Sequence, residues 1–191
     1  MICSKEDLIY YLEQDRIALG KSRKRPRIIG DYIWKYQILL RKTEYIVNCK
    51  KGIIYKLPIA IKKYILHRKG MKLGGYSIPL NSFGPGLSIA HYGSIVVNNS
   101  CKIGKNCRIH EGVTIGATNG DPQAAIIGDN IFIGTGAKII GNIEIGNNIA
   151  IGANSVVTKS FIEDGITIGG VPAKKISNNN SHSNLNSRLE I

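Results

Sequence analysis

The sequence has no run of about 18 apolar residues, the length that a membrane-spanning helix needs. Its first residues, which include Ser4, Lys5 and Glu6, are mixed polar and lack a signal-peptide pattern, so we expect a cytoplasmic protein. The cysteines form no CxxC pair and no zinc-binding spacing with histidine. We interpret Cys101 and Cys107, which lie six residues apart, as small core residues.

Acidic residues are scarce: the chain has 13 of them against 26 Lys and Arg, and none lies between Glu44 and Glu111. The excess of basic residues is concentrated in residues 1–70, with 17 basic against 6 acidic residues. Such a stretch indicates a solvated face, contact with an anionic membrane surface or an acidic glycan, or nucleic acid. Its densest piece, residues 21–27, has no interleaved aromatic residues, so we expect no nucleic-acid partner.

What the sequence does contain is a repeat of six residues. An aliphatic residue recurs at this period, interrupted only by Asp121, at Ile103, Ile109, Ile115, Ile127, Ile133, Ile139, Ile145, Ile151 and Val157. Glycine often follows, and the residue two positions earlier is usually small or branched. The period predicts a parallel β-helix in which three hexapeptides close one triangular coil, with both positions pointing inward. It excludes an α-helix, whose period is 3.6 residues.

We divide the chain into a basic helical segment (residues 1–72), the β-helix (residues 73–176) and a flexible polar tail (residues 177–191). Helical spacing of apolar residues predicts three helices in the first part, over residues 5–17, 31–49 and 55–68. Ser4 is the expected N-cap of the first helix. We expect the helical segment to cover the N-terminal end of the β-helix, because an open coil exposes core and unpaired backbone.

Histidines are too few in the β-helix for a carbonic anhydrase of this fold, which needs three His ligands for each zinc ion. Only His91 and His110 lie in the β-helix, and His67 and His182 lie outside it. We therefore expect no metal. A β-helix alone does not indicate a function, because function depends on sites that differ between proteins of one fold.

An ordered series of motifs carries a resemblance to a known family. It comprises residues 86–97 (GLSIAHYGSIVV), 113–116 (VTIG), 133–143, 151–157 and 169–174 (GGVPAK). The series resembles the serine acetyltransferase branch of the hexapeptide acyltransferases, which includes polysaccharide O-acetyltransferases. The resemblance implies a mainly β fold, a left-handed parallel β-helix with an N-terminal α-helical segment. It also implies acetyl-CoA as cosubstrate and a homotrimer, with a dimer of trimers through the N-terminal helices as a further option.

The catalytic base of that family is the histidine of an H-x-x-G-I-V-V segment, which matches His91. A hydroxyl needs such a base, with a pKa near neutrality, to attack a thioester. His91 lies 12 residues before Ile103, where the period expects an inward aliphatic residue, and a polar residue in that register favours a functional role. His110 follows Ile109 at a corner, and we interpret it as a surface or subunit-contact residue.

The resemblance also implies the residues that bind CoA, which are Thr135, Gly136, Ala153, Thr158, Lys159 and Lys174. Extended pantetheine running along parallel strands needs small residues at successive corners, and the phosphates of CoA need cations. Lys159, Lys174 and Lys175 cluster late in a part of the chain that is otherwise almost neutral.

Two positions depart from the family pattern. The family pairs its histidine with an Asp fifteen residues upstream, where this chain has Tyr76. The partner of His91 is then Glu111, another group from a neighbouring subunit, a backbone carbonyl, or none. The loop of residues 117–125 also lacks the Arg-His pair that grips the carboxylate of serine, because Gln123 and Ala124 stand there.

These departures favour an acetyl-CoA-dependent O-acetyltransferase that modifies a sugar hydroxyl in surface-polysaccharide biosynthesis. The alternative is a serine O-acetyltransferase of cysteine biosynthesis. It is supported by the final residue, Ile191, because many serine acetyltransferases end in an Ile that docks into the cysteine-forming enzyme. A non-catalytic trimeric scaffold is the third hypothesis.

Overall fold

The computed structural model describes residues 1–118 and 120–189. Its N-terminal part contains three α-helices and a 3₁₀ turn, which are α1 (Lys5–Ala18), α2 (Tyr32–Cys49), the turn (Ile53–Tyr55) and α3 (Lys56–Lys72). Ser4 begins α1 in a capping box: its hydroxyl accepts from the Asp7 N–H and its own N–H donates to the Asp7 carboxylate, both at 3.0 Å. The three predicted helices are therefore confirmed. No helix in the described part of the chain is long and apolar enough to cross a bilayer.

In the described residues fourteen short strands follow the helices. They are β1 (Tyr76–Ser77), β2 (Ser88–Ile89), β3 (Ile95–Val97), β4 (Lys102–Ile103), β5 (Arg108–Ile109), β6 (Thr114–Gly116), β7 (Ile126–Ile127), β8 (Phe132–Ile133), β9 (Lys138–Ile140), β10 (Glu144–Ile145), β11 (Ala150–Ile151), β12 (Val156–Val157), β13 (Thr167–Gly169) and β14 (Lys174–Ser177).

The strands form three sheets that the chain visits in turn. Sheet 1 has the order β1-β3-β6-β9-β12, sheet 2 has β4-β7-β10, and sheet 3 has β2-β5-β8-β11-β13-β14. In the described residues the paired strands are parallel except β13–β14, which is antiparallel, and parallel neighbours in a sheet are one coil apart. The chain therefore winds as the left-handed parallel β-helix that the family resemblance implied.

The interior of the β-helix is built from the repeating aliphatic residues. Ile109, Ile115, Ile133 and Ile139 are fully buried, and the small or branched residues two positions before them point inward as well. Cys101 and Cys107 are among these inward residues, and both are free and buried. Burial raises the pKa of the Cys101 thiol to about 12, so it stays protonated at neutral pH. The six-residue period thus identified the core correctly.

The corner between sheets 2 and 3 is turned by a ladder of asparagines. Asn106, Asn130 and Asn148 each have φ of 57°, a left-handed conformation that Asn tolerates better than most residues. Their side chains are joined by hydrogen bonds of 2.8 Å and 2.9 Å from one coil to the next. The ladder therefore satisfies polar groups that would otherwise be buried without partners.

The helices cover the N-terminal end of the β-helix. Tyr36, Leu40 and Leu66 belong to the same buried cluster as Phe83 and Leu87 of the first coil. Burial of these side chains removes the open end of the coil from water, which confirms the expected capping role.

A buried ionic network also joins the helices to the first coil. Arg41 is 0% exposed and contacts the carboxylates of Asp15 (2.8 Å and 3.2 Å) and Glu44 (3.1 Å). The same guanidinium donates to the carbonyls of residues 83–84 at 2.9 Å and 2.7 Å. Asp15 in turn accepts from the N–H groups of residues 86–87 at 3.0 Å and 2.8 Å. The charges are therefore paired with each other and with the backbone.

The tail differs from the disordered segment that its composition predicts. After β14, Ser181 is 0% exposed, and its N–H donates to the Asn148 carbonyl at 3.1 Å. Its hydroxyl donates to the Asn130 carbonyl, and Leu189 is buried too. These contacts hold the tail on the corner of the asparagine ladder, which composition alone cannot show. The predicted docking residue, Ile191, lies outside the described residues.

Candidate active site

Four coils stack at the corner between sheets 3 and 1. This corner, here named the histidine corner, consists of residues 90–94, 110–113, 134–137 and 152–155. At each level after the first, an N–H donates to a carbonyl of the preceding level, at 2.7–2.9 Å. Side chains that are far apart in the sequence therefore line one edge of the molecule.

His91 lies in the first and widest level of the histidine corner. Five residues, 90–94, separate the buried Ile89 from the buried Ile95. In the next level only three residues, 110–112, separate the buried Ile109 from the buried Val113. The two extra residues shift the phase of the repeat, so the inward position is Ile89, which is 1% exposed. His91 is exposed, and the prediction that it occupies an inward register is wrong.

His91 lies beside two titratable residues of the next level, His110 and Glu111. The rings of His91 and His110 meet edge to face with their centroids 5.3 Å apart, and His110 also packs against Phe132 at 5.1 Å. The ligating atoms of the two histidines and the glutamate all lie within 4.8 Å of one another. The three side chains form one group, here named the His–His–Glu cluster.

Glu111 is held so that one carboxylate oxygen remains available. The Thr135 hydroxyl donates to Oε1 at 3.1 Å, whereas Oε2 is buried without a hydrogen-bond partner in the described part of the chain. Gly93 makes room for this side chain: a Cβ at Gly93, which has φ of 137°, would lie 2.7 Å from Glu111 Cβ. Glu111 is therefore an acceptor positioned next to the histidines.

The electrostatics of the cluster favour an anionic glutamate and a neutral His110. Hydrogen bonding from its own backbone N–H lowers the pKa of Glu111, and Thr135 and the histidines act in the same direction. Burial lowers the pKa of His110, and the charge of Arg108 lowers it further. A carboxylate beside His91 can stabilise the imidazolium that forms when His91 accepts a proton.

Tyr76, at the position of the family Asp, contacts the backbone of His91. Its hydroxyl donates to the His91 carbonyl at 2.7 Å, and its ring packs edge to face on Tyr36 with the centroids 5.2 Å apart. Burial raises the pKa of Tyr76, so it stays neutral. It therefore holds the main chain of His91 and supplies no negative charge.

A groove lies next to the cluster on sheet 3. Arg108, His110 and Phe132 line it, together with Leu19 after α1 and Leu185 of the tail. Arg108 donates to the Ser88 hydroxyl at 3.2 Å and has no ion pair with an acidic group in residues 1–118 and 120–189. The groove thus offers a cation beside His110.

Three of the six residues predicted to bind CoA lie on the histidine corner: Thr135, Gly136 and Ala153. Gly136 has φ of 73°, and a Cβ there would lie 2.1 Å from Asn154 Oδ1. Ala153 is exposed one coil further on. The Asn154 side chain thus fills the space beside Gly136, whereas the edge is open at Ala153, and the Thr135 hydroxyl is engaged by Glu111.

The other three predicted residues lie off that corner. Thr158 and Lys159 follow β12, and Lys159 Nζ lies 5.4 Å from the centroid of the Phe161 ring. Lys174 begins β14 and is exposed, and Lys175 pairs with Glu163 at 2.5 Å. Within the part of the chain that the structure describes, Lys159 and Lys174 have no acidic partner at ion-pair distance.

The His–His–Glu cluster also has the donor types of a metal site. Two His and one Glu are a ligand set that catalytic zinc accepts. The expectation that the protein needs no metal stays a prediction, which a chelator can test.

Sequence reasoning missed the position of His110, which is next to His91 rather than simply at the surface. Glu111 was one of several partners left open for His91, and it lies beside His91 within the same chain. The signal is the pairing of β2 with β5, which sets Ile89 opposite Ile109. His91 and Glu111 each lie two residues beyond these strand ends, so the pairing brings them together. A strict six-residue period does not predict this, because the corner of residues 90–94 is two residues longer than the next one.

Comparison with known proteins supports the repeat and the family. A family model described as bacterial transferase hexapeptide (six repeats) matches residues 124–159. A serine acetyltransferase of Staphylococcus aureus (strain Mu50 / ATCC 700699) is 39% identical over 175 residues, which cover 88% of this chain and 75% of the relative. A serine acetyltransferase of Staphylococcus xylosus is 37% identical over 175 residues, with 88% and 74% covered.

Solved structures agree with the fold. A serine acetyltransferase in complex with CoA has a TM-score of 0.69 at 25% identity, covering 90% of this chain and 71% of that chain. The serine acetyltransferase of Brucella abortus strain S19 has a TM-score of 0.68 at 24% identity, covering 93% and 72%. The chain therefore belongs to the serine acetyltransferase family, and it is an acyltransferase built on the hexapeptide repeat.

Proposed function

We propose that the protein transfers an acetyl group from acetyl-CoA to a hydroxyl, with His91 as the general base. The observation that carries this proposal is the exposed imidazole of His91 within 4.8 Å of the carboxylate of Glu111, on the open edge of the β-helix. A hydroxyl is too weak an acid to attack a thioester at neutral pH unless a base removes its proton. Histidine suits this task because its unperturbed pKa is near neutrality.

In the proposed reaction, His91 takes the proton of the acceptor hydroxyl as the oxygen attacks the thioester carbonyl carbon. A C–O bond forms and gives a tetrahedral oxyanion, which backbone N–H groups of the histidine corner would stabilise. Collapse of the oxyanion breaks the C–S bond, and the imidazolium returns its proton to the sulfur of CoA. Atoms and protons balance without an acyl-enzyme intermediate and without a metal.

Glu111 is the proposed positioning partner of His91. Its Oε2 is free to accept from an imidazole N–H after a small movement, and the lowered pKa of Glu111 keeps it anionic. Glu111→Gln should lower kcat at least about tenfold and move the pH of half-maximal kcat/KM downward, because the imidazolium loses its counter-charge. Tyr76→Phe is the matched control, because it removes a hydrogen bond to the backbone of His91 and leaves the charges unchanged. A pH profile that moves equally in both variants would contradict the role of Glu111.

The acetyl-CoA site is proposed along the open edge of the histidine corner. Extended pantetheine would run past Gly136 and Ala153, and the small exposed side chain of Ala153 would let it approach the backbone. Lys159 and Lys174, which have no ion-pair partner among the described residues, would face the phosphates. The cleft is proposed to lie between neighbouring subunits of a homotrimer, so dilution into monomers should abolish activity. A dimer of trimers is an additional assembly to examine by sedimentation.

L-serine is the acceptor that the comparisons support better. The loop of residues 117–125 has no Arg-His pair, which by itself favours a sugar hydroxyl. The similarity to serine acetyltransferases over 88% of the chain favours serine instead. Arg108 supports the same choice, because its unpaired guanidinium beside His110 could hold a carboxylate in a charge-assisted contact. The reaction would then supply O-acetyl-L-serine in the cytoplasm.

A sugar hydroxyl in polysaccharide biosynthesis remains the second candidate. The observation that favours it is the sequence of the loop itself, since residues 117–125 contain no Lys, Arg or His. A neutral sugar carries no carboxylate that would require Arg108.

Thiol release from acetyl-CoA, measured with L-serine, hexoses, sialic acid and nucleotide sugars, decides between the two acceptors. If serine is the substrate, Arg108→Gln should raise KM for serine by at least about tenfold, because one charge-assisted contact is lost. Lys105→Gln, which removes an exposed cation from the same coil, is the matched control. A sugar acetylated at least about 100-fold more efficiently than serine would overturn the serine assignment.

Activity that a chelator abolishes and zinc restores would overturn the metal-free mechanism.

A further inference from the structure

Helix α3 is apolar on two opposite sides, and only one of them is covered. Leu66 and Gly70 are buried toward the rest of the protein. The other side, here named the α3 outer face, exposes large apolar side chains, which are Ile53 (78% exposed), Ile54 (74%), Leu57 (69%), Ile61 (48%), Tyr64 (63%) and Ile65 (39%). At 3.6 residues per turn the four of these that belong to α3 fall within about 50° of one line along the helix, and Leu66 lies on the far side. Ile53 and Ile54 extend the face into the preceding 3₁₀ turn, and the exposed Arg68 lies on the same line at its C-terminal end.

Cations border the α3 outer face on both sides. By the same helical geometry, Lys56 and Lys63 lie on one flank, and Lys62 and Lys69 lie on the other. None of them has an ion pair in residues 1–118 and 120–189. Residues 50–72 contain eight Lys and Arg and no acidic residue. An apolar stripe between two rows of long cationic side chains is typical of a helix that lies in a membrane interface.

We propose that the α3 outer face binds the surface of an anionic lipid bilayer. Its apolar side chains would enter the boundary between headgroups and acyl chains, while the flanking lysines extend to the phosphates of the lipids. Tyr64 suits the same depth, because its ring is apolar and its hydroxyl is polar. The helix would lie on the bilayer and not cross it, consistent with its length and composition. This proposal does not depend on the acceptor of the acetyl group.

Charge and polarity distinguish the lipid surface from other occupants of the α3 outer face. A second copy of the chain, packed symmetrically on this face, would bring two sets of cations together. No acidic residue between residues 45 and 110 could offset their repulsion. An acidic glycan would satisfy the cations but would leave Ile53, Ile54 and Leu57 in water. An anionic bilayer complements both the charges and the apolar stripe.

The test is co-sedimentation of the full chain with vesicles of phosphatidylcholine alone and of phosphatidylcholine mixed with phosphatidylglycerol. We expect binding to the anionic vesicles, weakened by salt, and little binding to phosphatidylcholine alone. The double substitution Leu57→Ser and Ile61→Ser should lower the affinity at least about tenfold, because it removes two apolar side chains that would be buried. Replacing Lys56 and Lys63 by Gln should cost about fivefold for each cation.

Ile162→Ser is the matched control, because Ile162 is 75% exposed but lies in the β-helix, away from α3. All variants change exposed side chains, so the melting temperature should stay close to that of the parent. The proposal would be overturned by absence of binding to anionic vesicles, or by an equal loss of affinity in the Ile162 control. Sedimentation without lipid gives a further check. If the parent forms a larger assembly that the double substitution Leu57→Ser and Ile61→Ser splits into smaller ones, a second copy of the chain covers the α3 outer face and the proposal is overturned.

Discussion

The β-helix and the helical cap (residues 1–72) are stabilised by different kinds of contact. In the β-helix, Ile133, Ile139 and similar residues stack in an aliphatic core that repeats from coil to coil. The cap also shares apolar contacts with the first coil, but its attachment includes the buried charges of Arg41, Asp15 and Glu44. The β-helix is therefore held by many equivalent apolar contacts, whereas the cap relies in part on a few ionic contacts that occur only at one place.

This difference shows where the molecule can place reactive groups. Because the core of the β-helix points inward, its corners carry side chains that packing does not require, and His91 is one of them. The buried charges of Arg41 and Asp15 in the cap are paired with each other and with the backbone of the first coil, so they are committed to structure. Activity and stability should therefore respond to different substitutions.

The largest expected effect is on activity. His91→Ala should reduce acetyl transfer about 10²–10⁴-fold, because it removes the base, and should leave both CoA affinity and the melting temperature close to the parent values. Steady-state thiol release, calorimetric CoA titration and thermal unfolding measure these three quantities. His67→Ala, at an exposed site of α3, is the control. Turnover of the His91 variant within threefold of the parent would refute its role as the base.

Substitution of Arg41 should have the opposite profile. Arg41→Met leaves the carboxylates of Asp15 and Glu44 buried without their cation, which should lower the free energy of unfolding by about 3–5 kcal/mol. Urea denaturation measures the change, and Lys42→Met at the exposed neighbouring position is the control. If both variants are equally stable, the ionic network does not hold the cap in place.

A cavity in the repeating core should also cost stability. Ile133→Ala removes a fully buried side chain, and we expect a loss of about 2–5 kcal/mol in the free energy of unfolding. Ile126→Ala is the matched control, because Ile126 is 53% exposed in the neighbouring strand β7. Denaturation curves that coincide for the two variants would mean that the repeat does not carry the stability of the β-helix.

Lysines at the end of the β-helix should affect only the cofactor. Lys159→Ala and Lys174→Ala should each weaken CoA binding about tenfold, through loss of a charge-assisted contact with a phosphate. For a lysine that meets the 3′-phosphate, the loss should shrink when dephospho-CoA is the ligand. Lys175→Ala, which removes a lysine already paired with Glu163, is the control in the calorimetric titration. Unchanged affinity in both variants would place the phosphates elsewhere.

The smallest expected effect concerns pH. The pKa of His110 is lowered in the folded protein, so the unfolded chain binds more protons below the ordinary histidine pKa of about 6.5. Stability should therefore fall as the pH is lowered through that value. His110→Gln should lose less stability than the parent between about pH 7.5 and pH 5.5 in urea titrations. A parent and variant with parallel pH dependence would show that His110 does not titrate differently in the two states.

Much of the candidate site could be predicted from the sequence, but not its geometry. The motif predicts His91 as the base, and its exposed position on the histidine corner is compatible with that prediction. Its inward register was wrong, because the extra residues in the corner 90–94 change the phase. The loop of residues 117–125 instead keeps the phase, since Ile115 and Ile127 are 12 residues apart, and the only sign of the loop in the repeat is Asp121 at the intervening position.

The sequence by itself determined the coil, its core residues and the three helices, because these depend on local periods of six and 3.6 residues that recur along the chain. Only the tertiary structure decided that Glu111 lies beside His91, that Arg41 reaches residues 83–84, and that Ser181 docks on Asn130. The physical reason is that each of these contacts joins side chains or backbone groups with no fixed spacing in the sequence. They form where folding brings complementary charges and hydrogen-bonding groups together, so no periodic pattern records them.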